Sequence, residues 1–260
     1  MDVLLTHAYF LYEDPHELAV MKPYPPLGLL YVNSHLKARG VDSTIFDSTF
    51  ARFGEMESFI QREKPPIVGI YSNLMTRTNA LRVMAAARNA GSLVVVGGPD
   101  PANYLDEYLS HGADVIVFGE GELTLEELVP HLRQHGPRNL DGILGLAFRN
   151  DQGAIVRTEP RPLIADLDAQ PFPDRAAIDQ HAYVDVWRKH HGKGSVSLIT
   201  ARGCPFTCTW CSHSVFGYSH RRRTPGNVVD EVEQIVGTYA PDLLWYADDV
   251  FTINHKWLYE

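Results

Sequence analysis

The sequence predicts an α/β fold that begins with a doubly wound parallel sheet. Short apolar segments alternate with amphipathic helical periods from residue 1 to about residue 130. Parallel strands that are covered by helices on both faces are apolar almost throughout, and these segments are of that kind. Polar and glycine-rich turns follow three of the strands, as is typical of the ligand-binding edge of such sheets.

The elements follow one another in a regular order. The predicted strands cover residues 3–8, 41–47, 67–71, 93–96 and 114–118. The predicted helices cover residues 27–39, 56–63, 78–90, 103–109 and 124–134. Gly40 and Gly91 directly follow two of these helices, Pro65 comes just after a third, and both residue types terminate helices.

A hairpin and a connector follow the sheet. Two segments of strand character, 144–149 and 154–158, flank a turn that runs from Asn150 to Gly153. Four prolines then hold the chain extended, and they are Pro160, Pro162, Pro171 and Pro173.

The second half of the chain contains fewer elements. A strand is predicted over 195–200, a helix over 227–239 and a strand over 243–247. We therefore expect a first domain over residues 1–140, a hairpin and linker over 141–190, and a second domain over 191–260.

The composition is that of an ordinary globular protein, with 45% hydrophobic and 21% charged residues. The net charge of −9 argues against a general nucleic-acid or membrane-surface binder. No window approaches about 18 consecutive apolar residues, and the amino terminus lacks the basic and apolar regions of a signal peptide. We therefore expect a cytoplasmic protein that binds neither nucleic acid nor membrane.

The turns after three strands predict a ligand site at the carboxyl edge of the sheet. Helix amino termini and backbone donors converge at that edge, and adjacent glycines let a ligand approach the backbone closely. A tight turn alone explains one glycine pair, but three such turns on one edge favour binding. The turns are Ser72-Asn73-Leu74, Gly97-Gly98-Pro99 and Gly119-Glu120-Gly121-Glu122.

The three cysteines lie in one short segment, as Cys204, Cys208 and Cys211. An odd number so close together argues against a disulfide framework and favours a metal site. The spacing C-x3-C-x2-C lets one loop surround a single centre with three thiolates and leaves a coordination position open. Zinc with His213 or His220 as fourth ligand is an alternative, although zinc sites usually pair two C-x2-C motifs and the chain has no second pair.

With Trp210 before the last cysteine, this segment resembles the C-x3-C-x-aromatic-C signature of the radical S-adenosylmethionine superfamily. The resemblance implies a 4Fe–4S cluster on the three cysteines, S-adenosylmethionine on the open iron, and its cleavage to a 5′-deoxyadenosyl radical. It also implies that S-adenosylmethionine contacts Phe206 and Trp210. An acidic residue after the last strand is implied to contact its amino group. That residue is Asp248 or Asp249, for which a helix cap or a loop turn is the alternative role. The implied fold of this part is the beginning of a partial (β/α)6 barrel.

The first half resembles the cobalamin-binding domain of cobalamin-dependent radical enzymes, on its PPLGLLY, SNL, GGP and FGEGE segments. By this resemblance the nucleotide tail of cobalamin lies along Ser72, Asn73, Leu74, Gly97, Gly98 and Pro99. The corrin edge then lies near Gly119, Glu120 and Gly121. Enzymes with a lower histidine ligand carry D-x-H-x-x-G, whereas here Asp14 and His16 are followed by Ala19 in the glycine position. We therefore expect no ligand role for His16.

Together the two resemblances imply a cobalamin-dependent radical methyltransferase that acts on an unactivated carbon or phosphorus atom. They also imply a small-molecule substrate and an electron donor such as flavodoxin or ferredoxin. A cobalamin-dependent cyclase or ring-rearranging enzyme, and a cofactor-binding module without turnover, are the alternatives. The methylthiotransferases join a similar α/β domain to this motif but need further cluster cysteines, which this chain lacks.

The second domain is shorter than a complete barrel of this kind. A complete barrel of this kind needs about 200 residues by analogy with other α/β barrels, and the chain ends at Glu260, soon after Cys204. We therefore expect a fragment or truncated reading frame that holds cobalamin better than it performs chemistry. Its last strand, left as an open sheet edge, is expected to promote aggregation.

Overall fold

A parallel sheet forms the first half of the computed structural model, which describes residues 1–213 and 215–260. Its strands are β1 (Val3–His7), β2 (Ser43–Phe46), β3 (Ile67–Tyr71), β4 (Leu93–Gly97) and β5 (Val115–Val117). They lie in the order β2-β1-β3-β4-β5, and every neighbouring pair is parallel. This is one of the two common strand orders of doubly wound sheets, so the predicted fold class is confirmed.

Helices cover both faces of the sheet. Those on the sheet are α2 (Leu27–Ala38), α3 (Phe53–Glu63), α4 (Arg77–Asn89), α5 (Leu105–Ser110) and α6 (Gly121–His135). The other helices of the described residues are α1 (Pro15–Val20), α7 (Gln180–His191), α8 (Pro225–Tyr239) and α9 (His255–Tyr259). Helices α2 and α6 share one core with Val3 and Leu5 of β1, while α3, α4 and α5 share the other with Leu4. Side chains alternate between the two faces of a strand, which is why the strands are apolar throughout. Among the described residues, no helix combines the length and apolar character needed to cross a lipid bilayer.

The predicted hairpin continues the same sheet. Strand β6 (Leu146–Arg149) pairs antiparallel with β5, and β7 (Ile155–Arg157) pairs antiparallel with β6. Asn150 closes the turn, because its side-chain oxygen accepts the backbone N–H groups of Gln152 and Ala154. The sheet thus extends beyond residue 140, and the division of the chain at that point stays a prediction.

A smaller unit follows the connector. It contains β8 (Ser195–Leu198), β9 (Ala201–Arg202), β10 (Arg221–Arg222) and β11 (Leu243–Tyr246). Strands β8 and β11 are parallel neighbours, and Val196 and Leu198 of β8 share a core with Val228 and Ile235 of α8. The predicted strand, helix and strand are therefore present, whereas the barrel stays a prediction. Strands β9 and β10 pair antiparallel over two residues each.

Three of the described helices were not predicted from the sequence, namely α1, α7 and α9. Helix α7 lies almost entirely within the expected linker, and its buried face rests on few residues, chiefly Tyr183, Val184 and Trp187. The remaining positions are mostly polar, so few apolar side chains mark that face. Asp179 caps its amino terminus and Gly192 ends it in the left-handed conformation. Helix α1 has six residues and buries none of them.

Candidate functional site

A cavity of about 150 Å³ lies at the carboxyl ends of β1, β3, β4 and β5. The strands and their following loops form its floor, and the first turns of α2 and α6 form its walls. Residues of the smaller unit, including Val215 and Phe216, form its roof. The lining is mainly apolar and includes the glycines Gly28, Gly69, Gly97, Gly98, Gly119 and Gly121. The cavity thus lies at the sheet edge where the sequence predicted a ligand.

Gly98 shows why the floor of the cavity lacks side chains. Its φ angle is +106°, a conformation that residues with a Cβ rarely adopt. A Cβ at this position would lie 2.4 Å from the carbonyl oxygen of Ser72 and 3.1 Å from the ring of Tyr71. Glycine is therefore required at this position by the conformation of the turn and by its contact with Tyr71 and Ser72.

The size of the cavity sets a condition on the implied cobalamin. Pockets for drug-sized molecules have volumes of about 300–1,000 Å³, and a corrin ring is larger than such molecules. The enclosed cavity is smaller than a corrin ring, so a corrinoid would also have to occupy the open space beside it or displace the roof. The residues that form the roof belong to the segment that follows Cys211.

Gly98→Ala is expected to lower the free energy of unfolding by about 3 kcal/mol, because left-handed strain and the contact with the Ser72 carbonyl act together. The control is Gly91→Ala, where φ is +86° but nothing lies within 4 Å of a Cβ. That variant is expected to cost about 1 kcal/mol, from backbone strain alone. Urea unfolding of both variants measures the difference, and equal losses would show that the Ser72 contact is unimportant.

The structure brings together five of the nine residues predicted for cobalamin. These five line the cavity and are Gly97, Gly98, Gly119, Glu120 and Gly121. The other four do not line it and are Ser72, Asn73, Leu74 and Pro99. Asn73 pairs with Thr76 at the start of α4 through both its backbone and its side chain, and Leu74 is 68% exposed. A role for these four along a nucleotide tail stays a prediction.

Ser72 is instead part of a buried hydrogen-bond chain. Its hydroxyl lies 2.7 Å from the hydroxyl of Tyr108, which donates to Asp100 at 2.6 Å. Arg77 donates to both oxygens of Asp100, and this pairing, despite burial, holds the pKa of the Asp100 carboxyl below its ordinary value. Burial and the Asp100 charge raise the pKa of Tyr108 to about 12. The chain therefore holds the loop that follows β3 against α5.

Four charged side chains join the cavity rim to the smaller unit, and we call them the Arg202 cluster: Arg202, Arg221, Glu120 and Glu122. Arg202 donates to Glu120 at 2.7 Å and to Glu122 at 2.6 Å. Arg221 donates to Glu120 at 2.8 Å. Burial alone would lower the pKa of the Arg202 guanidinium, but the charges of Glu122 and Glu120 raise it above its ordinary value. The carboxylate partners of both arginines are therefore provided by the protein itself.

The cysteine segment lies beside the cavity roof. Cys204 is half-buried, while Cys208 and Cys211 are exposed. Three thiols on one loop are the kind of donor set that holds iron–sulfur clusters, so the residue types fit the implied group. Within residues 1–213 and 215–260, however, no histidine, cysteine and carboxylate side chains converge closely enough to hold a metal ion. The cluster therefore stays a prediction.

Neither histidine of the zinc alternative supports that alternative. His213 packs against the ring of Tyr218, with ring centroids 4.0 Å apart. The Nδ1 atom of His220 lies 3.2 Å from the carbonyl oxygen of Gly203. Among the described side chains, neither forms a metal-binding group with the cysteines.

The residues predicted for S-adenosylmethionine occupy two settings. Phe206 is 53% exposed and Trp210 is 87% exposed on the cysteine loop. Asp248 accepts the backbone N–H of Thr200 at 2.6 Å, and Asp249 accepts that of Gly203 at 3.1 Å. Both carboxylates thus brace the chain just before Cys204. Contact of these four residues with S-adenosylmethionine stays a prediction.

The D-x-H segment has a structural role at Asp14. The Asp14 side chain accepts the backbone N–H groups of His16 and Glu17 and so caps α1, while the His16 side chain is exposed. His7, at the end of β1, is buried and bonds to Asp47 at 2.9 Å through Nε2.

Sequence reasoning missed the part of the site that comes from distant segments. Gly28 and Tyr31 at the start of α2 line the cavity, and so do Val215 and Phe216. The PPLGLLY segment was a signal for the first pair, because it places Gly28 at the entry to a helix. No local signal marks the second pair.

Comparisons with known proteins agree with this arrangement. The B12 binding domain family matches residues 19–129. An uncharacterized methyltransferase of Pyrococcus horikoshii is 33% identical over 242 residues, which cover 89% of this chain and 50% of that protein. An anaerobic magnesium-protoporphyrin IX monomethyl ester cyclase of Synechocystis is 29% identical over 240 residues, which cover 88% and 46%. The cytidylyl-2-hydroxyethylphosphonate methyltransferase of Streptomyces wedmorensis is 26% identical over 275 residues, which cover 87% and 51%.

A solved structure shows the same fold. The cobalamin-dependent S-adenosylmethionine radical enzyme OxsB, with aqua-cobalamin bound, superposes with a TM-score of 0.75 at 18% identity. The match covers 96% of this chain and 34% of that enzyme. The chain spans about half the length of the curated relatives it matches.

Proposed function

We propose that this chain, whose residues 19–129 match the B12 binding domain family, acts as a cobalamin-dependent radical S-adenosylmethionine enzyme in methyl transfer to an unactivated carbon or phosphorus atom. One observation carries the proposal. The glycine-floored cavity of the first sheet is roofed by the segment that follows the three cysteines, so a corrinoid site and a cluster site adjoin each other. The two methyltransferases among the relatives support the reaction class.

The residues of the cavity bind and orient in this proposal. Gly97 and Gly98, together with Gly119 and Gly121, present bare backbone to one edge of the corrin. Phe216 and its neighbour Val215 cover that edge and exclude water. Water exclusion matters because reactive intermediates are otherwise quenched by solvent.

The cysteine loop supplies the second binding site. Cys204, Cys208 and Cys211 hold a 4Fe–4S cluster, and the exposed rings of Phe206 and Trp210 offer apolar surface to S-adenosylmethionine. When bound, these groups supply a 5′-deoxyadenosyl radical, and cobalamin supplies a transferable methyl group. Asp248 and Asp249 hold the approach to Cys204 in place and leave one carboxylate oxygen of Asp249 for an amine. We propose a small-molecule substrate and a flavodoxin or ferredoxin as reductant.

A cyclase is the second candidate function. Three magnesium-protoporphyrin cyclases match this chain at 29–31% identity, between the 33% of the Pyrococcus horikoshii methyltransferase and the 26% of the Streptomyces wedmorensis methyltransferase. A cofactor-binding module without turnover is the third candidate.

One anaerobic experiment separates the three candidates. The chain is reconstituted with iron and sulfide, loaded with hydroxocobalamin, reduced, and given S-adenosylmethionine with a labelled methyl group. Label recovered on the corrinoid supports methyl transfer. Formation of 5′-deoxyadenosine without label on the corrinoid supports the cyclase type, and bound corrinoid with neither product supports the module. Absence of corrinoid binding would contradict all three.

A further inference from the structure

The loop that carries the cysteines is closed at its base by two arginines. Arg202 of β9 and Arg221 of β10 are partners in the antiparallel register, so residues 203–213 and 215–220 lie in the loop between them. Both guanidinium groups bind the same carboxylate, that of Glu120. The base of the cysteine loop is therefore tied to the loop that follows β5, on the cavity rim.

The ion pairs that Arg202 forms are buried, and their geometry suits an arginine side chain. Arg202 spans two carboxylates, since one terminal nitrogen binds Glu120 and the other binds Glu122. The side chains of Arg202, Glu120 and Glu122 are each more than nine-tenths buried. The backbone N–H of Ile164 also donates to Glu120, which holds that carboxylate in place. A lysine, with a single point charge, cannot reproduce the two-pronged contact.

The same arginine also faces the cavity. Arg202 lines it together with Phe216, and the guanidinium carbon lies 6.0 Å from the Phe216 ring centre and 5.2 Å from that of Tyr31. One side chain thus touches the rim, the wall and the roof. A corrinoid in the cavity would therefore contact the roof, while Arg202 holds the base of the loop to Glu120 and Glu122.

We propose that Arg202 is a positioning residue that couples occupancy of the corrinoid cavity to the conformation of the cysteine loop. The inference rests on the proposed function. Glu120 and Glu122 hold Arg202 at the base of the loop, and the roof residues transmit the presence of a ligand to the loop above it. Coupling between two sites is reciprocal, so an ordered cysteine loop must in turn tighten corrinoid binding.

Hydrogen exchange of the whole chain, without iron, tests the coupling. Adding hydroxocobalamin to the wild-type protein is expected to slow amide exchange in residues 203–213 and 215–220 by at least about fivefold. In Arg202→Lys, hydroxocobalamin is expected to bind more weakly, because the coupling is reciprocal, and at saturating concentration to slow exchange in the loop less than about twofold. A merely structural role would lower stability and leave the ligand-dependent change in exchange intact.

Two further variants complete the test. Arg161→Lys is the control, because Arg161 also donates through two terminal nitrogens, in this case to the single carboxylate of Glu127 on α6, but does not line the cavity. It is expected to behave as the wild-type protein does. If Arg202→Lys does not fold, Glu122→Gln is tested in its place. This substitution weakens one of the two carboxylate contacts of Arg202, and it is expected to halve the slowing of amide exchange that hydroxocobalamin causes in the loop. If hydroxocobalamin slows amide exchange in the folded variant as much as in the wild-type protein, the inference is overturned. If the wild-type protein does not bind hydroxocobalamin, the proposed function itself is overturned.

Discussion

Replacement of Cys204, Cys208 and Cys211 together by alanine is expected to abolish incorporation of iron and sulfide while leaving the corrinoid cavity intact. Thiolates are the cluster ligands in the proposed site, and no other cysteine exists in the chain to replace them. Two of the three thiols are exposed and the third is half-buried, so the substitutions are expected to change the free energy of unfolding by less than about 1 kcal/mol.

The measurement is the iron and sulfide content after anaerobic reconstitution, together with the visible absorbance of the protein. Hydroxocobalamin binding to the same preparation is the internal control, and its dissociation constant is expected to stay within about threefold of the wild-type value. Iron retained at the wild-type level in the alanine protein would contradict the assignment of the cysteines as cluster ligands. A colourless wild-type protein after reconstitution would contradict it equally.

Glu231→Ala is expected to destabilise the protein by about 3–5 kcal/mol, because it leaves two buried arginines without their shared carboxylate. Glu231 lies on α8 and is 1% exposed. Arg175 donates to one of its oxygens at 2.8 Å, and Arg223 donates to the other. These contacts join the connector and the chain after β10 to α8, so their loss removes support from the smaller unit.

Glu233→Ala is the matched control for this prediction. Glu233 lies two residues further along α8 and is exposed, so its loss is expected to cost less than about 0.5 kcal/mol. Urea unfolding followed by circular dichroism measures both variants. A loss below about 1 kcal/mol for Glu231→Ala would show that the arginines find other partners or reach water.

Several elements were predictable because their signals are local. The strands of the first sheet are continuous apolar segments, and the long helices α2, α3, α4 and α6 were predicted from their apolar periods. Helix α7 was missed because three histidines and several charged residues occupy a helix whose buried face is narrow. In that helix, contacts of Tyr183 with Asp47 and Thr49 supply the support that local pattern does not show.

The candidate site was predictable to a similar degree. Gly98 has a local reason to be glycine, since the turn it makes needs a left-handed φ angle. Ser72 was expected at the ligand but bonds to Tyr108, which lies 36 positions away in the chain. The partner of a polar side chain is decided by packing, so residue type alone did not show where the Ser72 hydroxyl is directed.

By itself the sequence determined the alternation of strands and helices, the glycine turns at one edge of the sheet and the spacing of the three cysteines. These features depend on residues within a few positions of one another. Only the tertiary structure decided that the cysteine loop roofs the cavity and that Arg202 binds carboxylates 80 and 82 positions earlier in the chain. Contacts over such separations depend on how the two units pack. An arginine can bind any carboxylate that lies within reach, so the sequence alone does not show which one it binds.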